Sequence, residues 1–513
     1  MQQYWAVKAD PQYAGHLLLF QLGGFLEAFF EDAELLADTL GIVLTTRGLH
    51  LGRPVPMAGI PLATRDGHIA RLVRAGVKVV ICEQLDGISS AATRAAAELQ
   101  AGTAAATGGA PPASPVPSAP QASAPASAPP PSTLMRRAVT RVVTQGTVVD
   151  DALLQPRSHN FLAAVAFGAG ARAGIAWLDL STGDFMVGGA PVSSLGTELA
   201  AFPPAELLLP LRGGASARPG PATSASASGT LTLEAAVRDA GGEVDRATAA
   251  MVAAARAGAG APVDLFGGDV GGTTLTFLDA AQWSSGAASD AATTALDHAL
   301  GWVSPSAAPT AAGGASSSSA TAYRPAIPVT QLQYAAAAAL LRYVAWTQLG
   351  RLPRIRPPTV LDIAAGAPAP TTDDGAVASL SPATVPSQPL PAQNTHAEVG
   401  VRLPSGGLPR LVVDAGTRRS LELTRPTFGR RRARGSLLHA IDACETAAGS
   451  RLLDARLCAP LADAEAIAHR QDGVASLLRD EALRSSVRSA LSHVPDLERC
   501  LARLAVARGT VSD

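Results

Sequence analysis

The chain has 513 residues, which is enough for roughly three or four domains, and its formal net charge of −1 excludes an overall basic field that would hold DNA. Charged residues make up 16% of the chain and aromatic residues 4%, because Ala, Gly, Pro and Ser are abundant, so much of the length is not expected to form core. The four cysteines show neither disulfide density nor metal-ligand spacing, and no long uninterrupted apolar run predicts a membrane span.

The first informative segment is a short apolar strand at residues 17–22, followed by two glycines at 23–24 and by Phe25 and Glu27. Because the glycines let the backbone turn sharply ahead of an amphipathic helix, the pattern predicts a strand-to-helix corner from which both side chains project. An aromatic ring on a rigid corner can enter a stack of bases, and a neighbouring carboxyl group can hydrogen-bond an unstacked base.

The same residues have a structural interpretation, which the local pattern by itself favours. Phe25 precedes Phe29 by four residues, so the two rings could form a hydrophobic staple at a helix entrance, with Glu27 in the first turn. Phe25 would then belong to the core, and Gly41 would end the helix that follows.

Four segments rich in Ala, Ser, Pro and Gly interrupt the patterned sequence. They cannot bury enough apolar surface to offset the entropy of ordering, and we expect them to be disordered inserts. They lie at residues 96–133, 211–230, 304–323 and about 364–400.

Between these segments, residues 160–166, 173–180 and 185–187 read as three strands of an antiparallel meander, and a further strand is expected near 204–208. Asp179 and Asp184 flank one of its turns and could be the metal ligands of a nuclease. A turn role is favoured, because two-metal sites need several convergent carboxylates.

From residue 329 the pattern becomes helical, with a helix at 334–349 that ends before Gly350. Seven later side chains recur at helical intervals and are expected to form core: Leu421, Leu437, Leu438, Ile441, Leu452, Leu453 and Leu457. The basic run at 430–434 could contact phosphates or act as a nuclear address, but a solvated loop is favoured.

Ordered blocks of sequence resemble the MutS family of DNA mismatch repair proteins. They lie at residues 2–4, 23–27, 44–48, 56–61, 81–85, 142–147, 414–424, 449–453 and 459–461. The resemblance implies a multidomain α/β plus α protein. Its parts would be a mixed α/β mismatch-recognition domain at 1–155, an RNase H-like α/β connector at 156–328 and a partial all-α lever at 329–513.

The resemblance also assigns DNA-binding residues. Phe25 would stack against the mispaired base from the minor groove and Glu27 would hydrogen-bond it, while Arg137, Arg47 and Arg141 would contact DNA. The chain departs from the family pattern around the motif. Gln21, Gly24 and Leu26 stand where the family has a basic residue, an acidic residue and Tyr, and Thr46 and Gln145 replace a Lys and a Pro.

Lysine usage bears on catalysis. Only Lys8 and Lys78 occur, and each follows Val, so neither is the lysine of a phosphate-binding loop. Full-length members of the family bind ATP and Mg. We expect this chain to end within the lever, and so to lack the clamp, the ATPase and most of the dimerisation surface of the family. We also expect it to have no cofactor, no bound metal and no catalytic residues.

The favoured function is therefore binding of double-stranded DNA that carries mismatches or small loops. Neither catalysis nor binding to a membrane is expected. The resemblance adds a MutL-type repair partner on the connector. Two alternatives stay open: a non-enzymatic interaction module whose recognition domain has decayed, and an incomplete gene product. Bacterial cytoplasm, nucleus and organelle all stay open as the compartment.

Overall fold

A computed structural model describes the greater part of the chain. The described residues are 2–85, 137–210, 233–239, 241, 244–257, 262–263, 265, 272–278, 331–350, 354–361, 410–429 and 431–506. All four predicted inserts lie outside the described residues. Contacts divide the chain into two compact units, Met1–Thr144 and Gln145–Asp513, whereas three domains were predicted.

The first unit is built on a six-stranded sheet. Its strands are β1 (Leu17–Leu22), β2 (Phe25–Phe29), β3 (Thr45–His50), β4 (Arg53–Pro61), β5 (Val79–Gln84) and β6 (Arg137–Val143). They run in the order β3-β4-β2-β1-β5-β6, and every neighbouring pair is antiparallel except β1 and β5. The predicted strand at 17–22 is confirmed.

Three helices accompany this sheet: α1 (Gln2–Lys8), α2 (Glu31–Leu40) and α3 (Arg65–Arg74). Helix α2 buries Leu36 and Leu40 and ends at Gly41, whose φ of 66° is left-handed, as the sequence predicted. Asp32 fastens α1 to this layer, because its carboxylate accepts from Tyr4 Oη at 3.3 Å and from Lys8 Nζ at 2.7 Å.

The second unit contains another six-stranded sheet. Its strands are β7 (Phe161–Gly168), β8 (Arg172–Asp179), β9 (Asp184–Pro191), β10 (Glu206–Pro210), β11 (Thr274–Leu278) and β12 (Thr359–Val360). The order is β11-β10-β7-β8-β9-β12. The predicted meander β7-β8-β9 and the strand that follows it are confirmed. The RNase H-like assignment stays a prediction.

Helices cover both faces of this sheet. On one face lie α4 (Leu195–Ala201), α5 (Leu233–Asp239) and α6 (Arg246–Ala257), and on the other lies α7 (Gln331–Thr347). The sequence predicted α7 but placed it in the lever domain that starts at residue 329. In the structure its buried alanines pack on β7 and β8, where Gly174 leaves room because a Cβ atom there would overlap the backbone of Leu332.

Six more helices follow: α8 (Ala415–Ser420), α9 (Leu437–Ile441), α10 (Ala447–Cys458), α11 (Ala464–Arg479), α12 (Glu481–Leu491) and α13 (Leu497–Ala505). The predicted core is partly wrong here. Leu438 is fully buried, but Leu421, Leu437, Ile441 and Leu452 are exposed, because no described residue covers the apolar faces of these helices. None of the helices that the structure describes is both long and apolar enough for a membrane crossing.

The basic run at 430–434 differs from the predicted solvated loop. Arg431 donates to Asp454 at 2.5 Å, and Arg432 donates to Asp442 at 2.6 Å, so two of its guanidinium groups face carboxylates within the fold. Burial by itself lowers the pKa of Arg431. The nearby Asp454 and Cys458 side chains raise this pKa by more, so its net shift is upward. Arg434 is exposed, and Arg430 lies outside the described residues.

Candidate nucleic-acid interface

The Phe25 motif lies at the start of a strand rather than at a strand-to-helix corner. Gly23 and Gly24 form a two-residue turn between β1 and β2, and Leu22 pairs with Phe25 across it. Gly23 has a φ of 59°, which is typical of the first central residue of a type II′ turn. The predicted corner is therefore a β-hairpin, because the backbone continues as β2 before α2 begins.

The staple interpretation is wrong. Phe29 lies on the same strand as Phe25 and is buried against the ring of Tyr4, with centroids 5.3 Å apart. The side chain of Phe25 is 49% exposed and packs against no other described aromatic ring. Phe25 is thus an exposed ring on a strand whose next four residues are buried.

The backbone beneath this ring is held on both sides. Gly24 O accepts from Leu62 N at 2.9 Å, just beyond the end of β4. Within the sheet, Leu26 and its partner Ile60 are both fully buried. The hairpin therefore presents Phe25 from a fixed position, which a wedge between bases would require.

Glu27 is close to Arg47. The Nη1 group of Arg47 donates to Glu27 Oε1 at 2.8 Å and to Oε2 at 2.5 Å. Glu27 lies opposite Gly59 in β4, where a Cβ atom would be 3.3 Å from Glu27 Cγ, so the absence of a side chain there leaves room for the carboxylate. Arg47 lies in the irregular stretch of β3 between Thr46 and Leu49.

Arg137 lies at the same end of the sheet as the hairpin, but on β6. Its Nε group donates to Gln21 O at 2.9 Å, and its guanidinium lies 5.1 Å from the centroid of the Phe20 ring. Gln21 Oε1 in turn accepts from Gln84 N at 2.9 Å. Arg137 therefore supports the strand that leads into the hairpin.

Arg141 lies further along β6, opposite Ile81 and next to a bulge. Four residues separate it from Arg137, which corresponds to about 13 Å of strand. The structure thus brings Phe25, Glu27 and Arg47 together, places Arg137 behind the hairpin, and leaves Arg141 apart from them.

The sequence pattern does not identify three supporting residues, namely Gln21, Gly59 and Leu62. Gln21 was noted only as a departure from the family pattern, yet it links β1 to both β5 and β6. No single-sequence signal identifies such partners, because the contacts join segments that are far apart along the chain.

The alternative metal site has a different geometry from a nuclease centre. Asp179 is fully buried and accepts from His159 Nδ1 at 2.9 Å and from Ser181 Oγ at 2.6 Å. Burial raises the pKa of Asp179, but the bonds from His159 and Ser181 outweigh it and lower the value to about 2. Asp184 pairs with Arg356 at 2.9 Å. Within the described ranges, no cluster of three His, Cys, Asp or Glu residues could hold a metal ion.

Comparisons with known proteins match most of the described framework. Three family models match the chain: MutS domain I over residues 1–152, MutS domain II over 160–228 and MutS domain III over 416–513. Curated relatives named DNA mismatch repair protein MutS align with the whole chain. They include those of Rhodopseudomonas palustris strains BisB5 (31% identical, 39% of the relative covered) and BisB18 (33%, 40% covered). The relative from Paracoccus denitrificans is 30% identical, and 41% of it is covered. The chain thus spans about 40% of the length of these relatives.

Proposed function

The chain belongs to the MutS family of DNA mismatch repair proteins, with MutS domains I, II and III, and from that premise we propose that its first unit binds mismatched DNA. The observation that carries the proposal is the exposure of Phe25 at the end of a clamped hairpin. Burial of an exposed apolar ring is favourable, and a mispaired base step provides a surface that can bury it.

Phe25 would act as a wedge. Inserting a ring requires unstacking of a base step, which costs a few kcal/mol and costs less where pairing is already broken. Because the hairpin backbone is fixed before DNA arrives, little ordering is needed on the protein side. Discrimination would thus come from the deformability of the DNA, and not from reading a base sequence.

Glu27 would supply the polar contact. It is two residues from Phe25, so both side chains leave the same face of β2. A carboxyl group can accept from a base, or donate to one when it is protonated. The proposed hydrogen bond would therefore form with the base that Phe25 has unstacked.

Phosphate contacts would position the DNA, with Arg47 as the nearest candidate and Arg137 and Arg141 as further ones. The described residues of the first unit carry nine Lys and Arg side chains and eight Asp and Glu side chains. With so small an excess of positive charge, binding to perfectly paired DNA is expected to be weak and sensitive to salt.

The decisive experiment replaces Phe25 with Ala. Affinity is measured for a G·T duplex, a duplex with one unpaired base and the matched homoduplex. Phe25→Ala should bring the affinity ratio between mismatched and matched DNA close to one and leave weak, salt-sensitive binding. Leu49→Ala is the matched control, because Leu49 is an exposed apolar residue of the same sheet, located on β3. Discrimination that survives in Phe25→Ala would exclude the wedge.

We also propose that these 513 residues do not hydrolyse ATP, because neither of the two lysines lies in a phosphate-binding loop. ATPase activity of the purified chain should equal that of the buffer. Turnover that persists through repeated purification would contradict this.

A second candidate function is that of a non-enzymatic interaction module for repair partners, including one of the MutL type. It is favoured by the exposed apolar side chains of α11 to α13, which include Val474, Leu478, Leu483 and Leu501. A gel shift with mismatched duplex separates the two, since only the first candidate predicts a preference over homoduplex.

A further inference from the structure

The Arg47–Glu27 ion pair is asymmetric in exposure. The Glu27 side chain is 10% exposed, whereas the Arg47 side chain is 54% exposed. Both hydrogen bonds use one nitrogen of the guanidinium, and Arg47 has no other partner among the described residues. The remaining donors of Arg47 therefore face solvent while the carboxylate is covered.

The two other ion pairs of the same unit in which the carboxylate is covered, Lys8–Asp32 and Arg65–Glu83, are more firmly held. Asp32 also accepts from Tyr4 Oη and from Leu18 N at 3.1 Å, so the loss of Lys8 would leave it with partners. Glu83 pairs with Arg65 and also accepts from Thr140 Oγ at 2.6 Å. Glu27 has only Arg47 among the described residues, so opening of this pair leaves a covered carboxylate without a partner.

When DNA approaches, the Glu27 carboxylate and a DNA phosphate compete for the guanidinium group of Arg47. A phosphate diester is an anion that arginine binds through two parallel N–H groups, as it binds a carboxylate. The net charge of the closed pair is zero, so Glu27 does not repel DNA at a distance, and the exposed donors of Arg47 can bind a phosphate without moving the backbone. The bound phosphate then lies beside the Glu27 carboxylate, and repulsion between these two anions favours release of Glu27.

We propose that Arg47 and Glu27 form an exchangeable ion pair, in which a DNA phosphate takes Arg47 and thereby frees Glu27 for the base beside Phe25. This proposal rests on the proposed function of Phe25 and Glu27. Arg47 is then a positioning residue that keeps the carboxylate occupied until the duplex backbone is in place. The contact of Arg47 with the DNA backbone then precedes the contact of Glu27 with the base, and both residues belong to the same sheet.

The first test measures the reactivity of Arg47 with phenylglyoxal, an arginine-directed reagent, followed by peptide mass mapping of the whole chain. Glu27→Gln should increase the rate of Arg47 modification about two- to fivefold, the range expected for a partly exposed ion pair. Homoduplex DNA should protect Arg47 in both proteins. Glu83→Gln is the matched control, since it removes the same charge from the Arg65 pair and should leave Arg47 unchanged.

The second test uses the salt dependence of homoduplex binding. Glu27→Gln should strengthen binding and raise the salt slope by up to about one, because Arg47 becomes fully available to a phosphate. Arg47→Met should lower the slope by a similar amount. In the Arg47→Met background, Glu27→Gln should leave the slope unchanged.

The outcomes separate this proposal from the function on which it rests. If Glu27→Gln changes neither the reactivity of Arg47 nor the slope, or if it changes the slope equally without Arg47, the exchange is overturned while the wedge stands. If Phe25→Ala keeps full discrimination, the proposed function fails, although Arg47 can still show phosphate exchange on homoduplex.

Discussion

Two arginine–carboxylate contacts, one from each unit, are built in opposite ways. In the first unit, Arg47 lies largely in solvent and holds a single carboxylate beside an exposed ring. In the second unit, Arg451 is 1% exposed and donates to Asp496 at 2.6 Å, to Glu498 at 2.9 Å and to the carbonyl of Pro156 at 2.8 Å. A pair at the surface can exchange its partner at low cost, whereas a buried cation must keep every partner.

Residues of the buried region are therefore expected to set stability, and residues of the hairpin region are expected to set DNA binding. Arg499 and Arg503 extend the buried region, because they reach the carbonyl of Ser158 and the carboxylate of Asp151 from α13. These contacts join the last helices to the segment that precedes β7.

The largest effect is expected for Arg451→Met. Removal of the cation takes a donor from two carboxylates and a carbonyl, although Glu498 keeps Arg356 and Asp496 keeps Arg499 as partners. The loss should destabilise the chain by about 3 kcal/mol. Urea unfolding followed by tryptophan fluorescence measures this loss. Arg456→Met is the control, since Arg456 lies exposed on the same helix, α10, and should change stability by less than about 0.5 kcal/mol. Equal losses in the two variants would break the division.

The stability of the second unit is expected to depend on pH through Glu198 on α4. It lines a cavity with Arg410 and Arg418, and burial raises its pKa from 4.5 to about 7 although both arginines lower it. Since the folded value is the higher one, the native protein should lose stability as pH rises from 4.5 to about 7.

Glu198→Gln removes this titration. The variant should match the native protein below pH 4.5 and exceed its stability by about 2 kcal/mol above about pH 7, allowing for solvent screening of a half-buried group. Urea unfolding at pH 5 and pH 8 provides the measurement. A difference between the proteins that does not depend on pH would show that Glu198 acts through packing.

The smallest effect concerns the hairpin turn. Gly23 has a φ of 59° while Gly24 has no left-handed φ, and a Cβ atom at either position would meet open space. Gly23→Ala should therefore cost about 1 kcal/mol through backbone strain, and Gly24→Ala should be neutral. The shift in thermal midpoint, compared between the two variants, checks this. Equal shifts would mean that the turn does not constrain Phe25 as inferred.

The sequence predicted elements well where one local pattern specified them. The strand at 17–22, the end of α2 at Gly41 and the meander from β7 to β9 all follow from apolar alternation and glycine positions. It failed at the hairpin, because two glycines before a short apolar run are equally compatible with a turn into a helix and with a turn into a strand. Pairing with Ile60 decides between them.

Amino-acid order by itself determined the family, the composition of the inserts and the presence of an aromatic residue and a carboxylate two positions apart. Tertiary structure alone decided that Phe25 is exposed, that Arg47 covers Glu27 and that Arg431 is engaged with Asp454. The physical reason is the range of the interactions. Backbone propensity acts over a few residues, whereas burial and ion pairing depend on segments that only folding brings together.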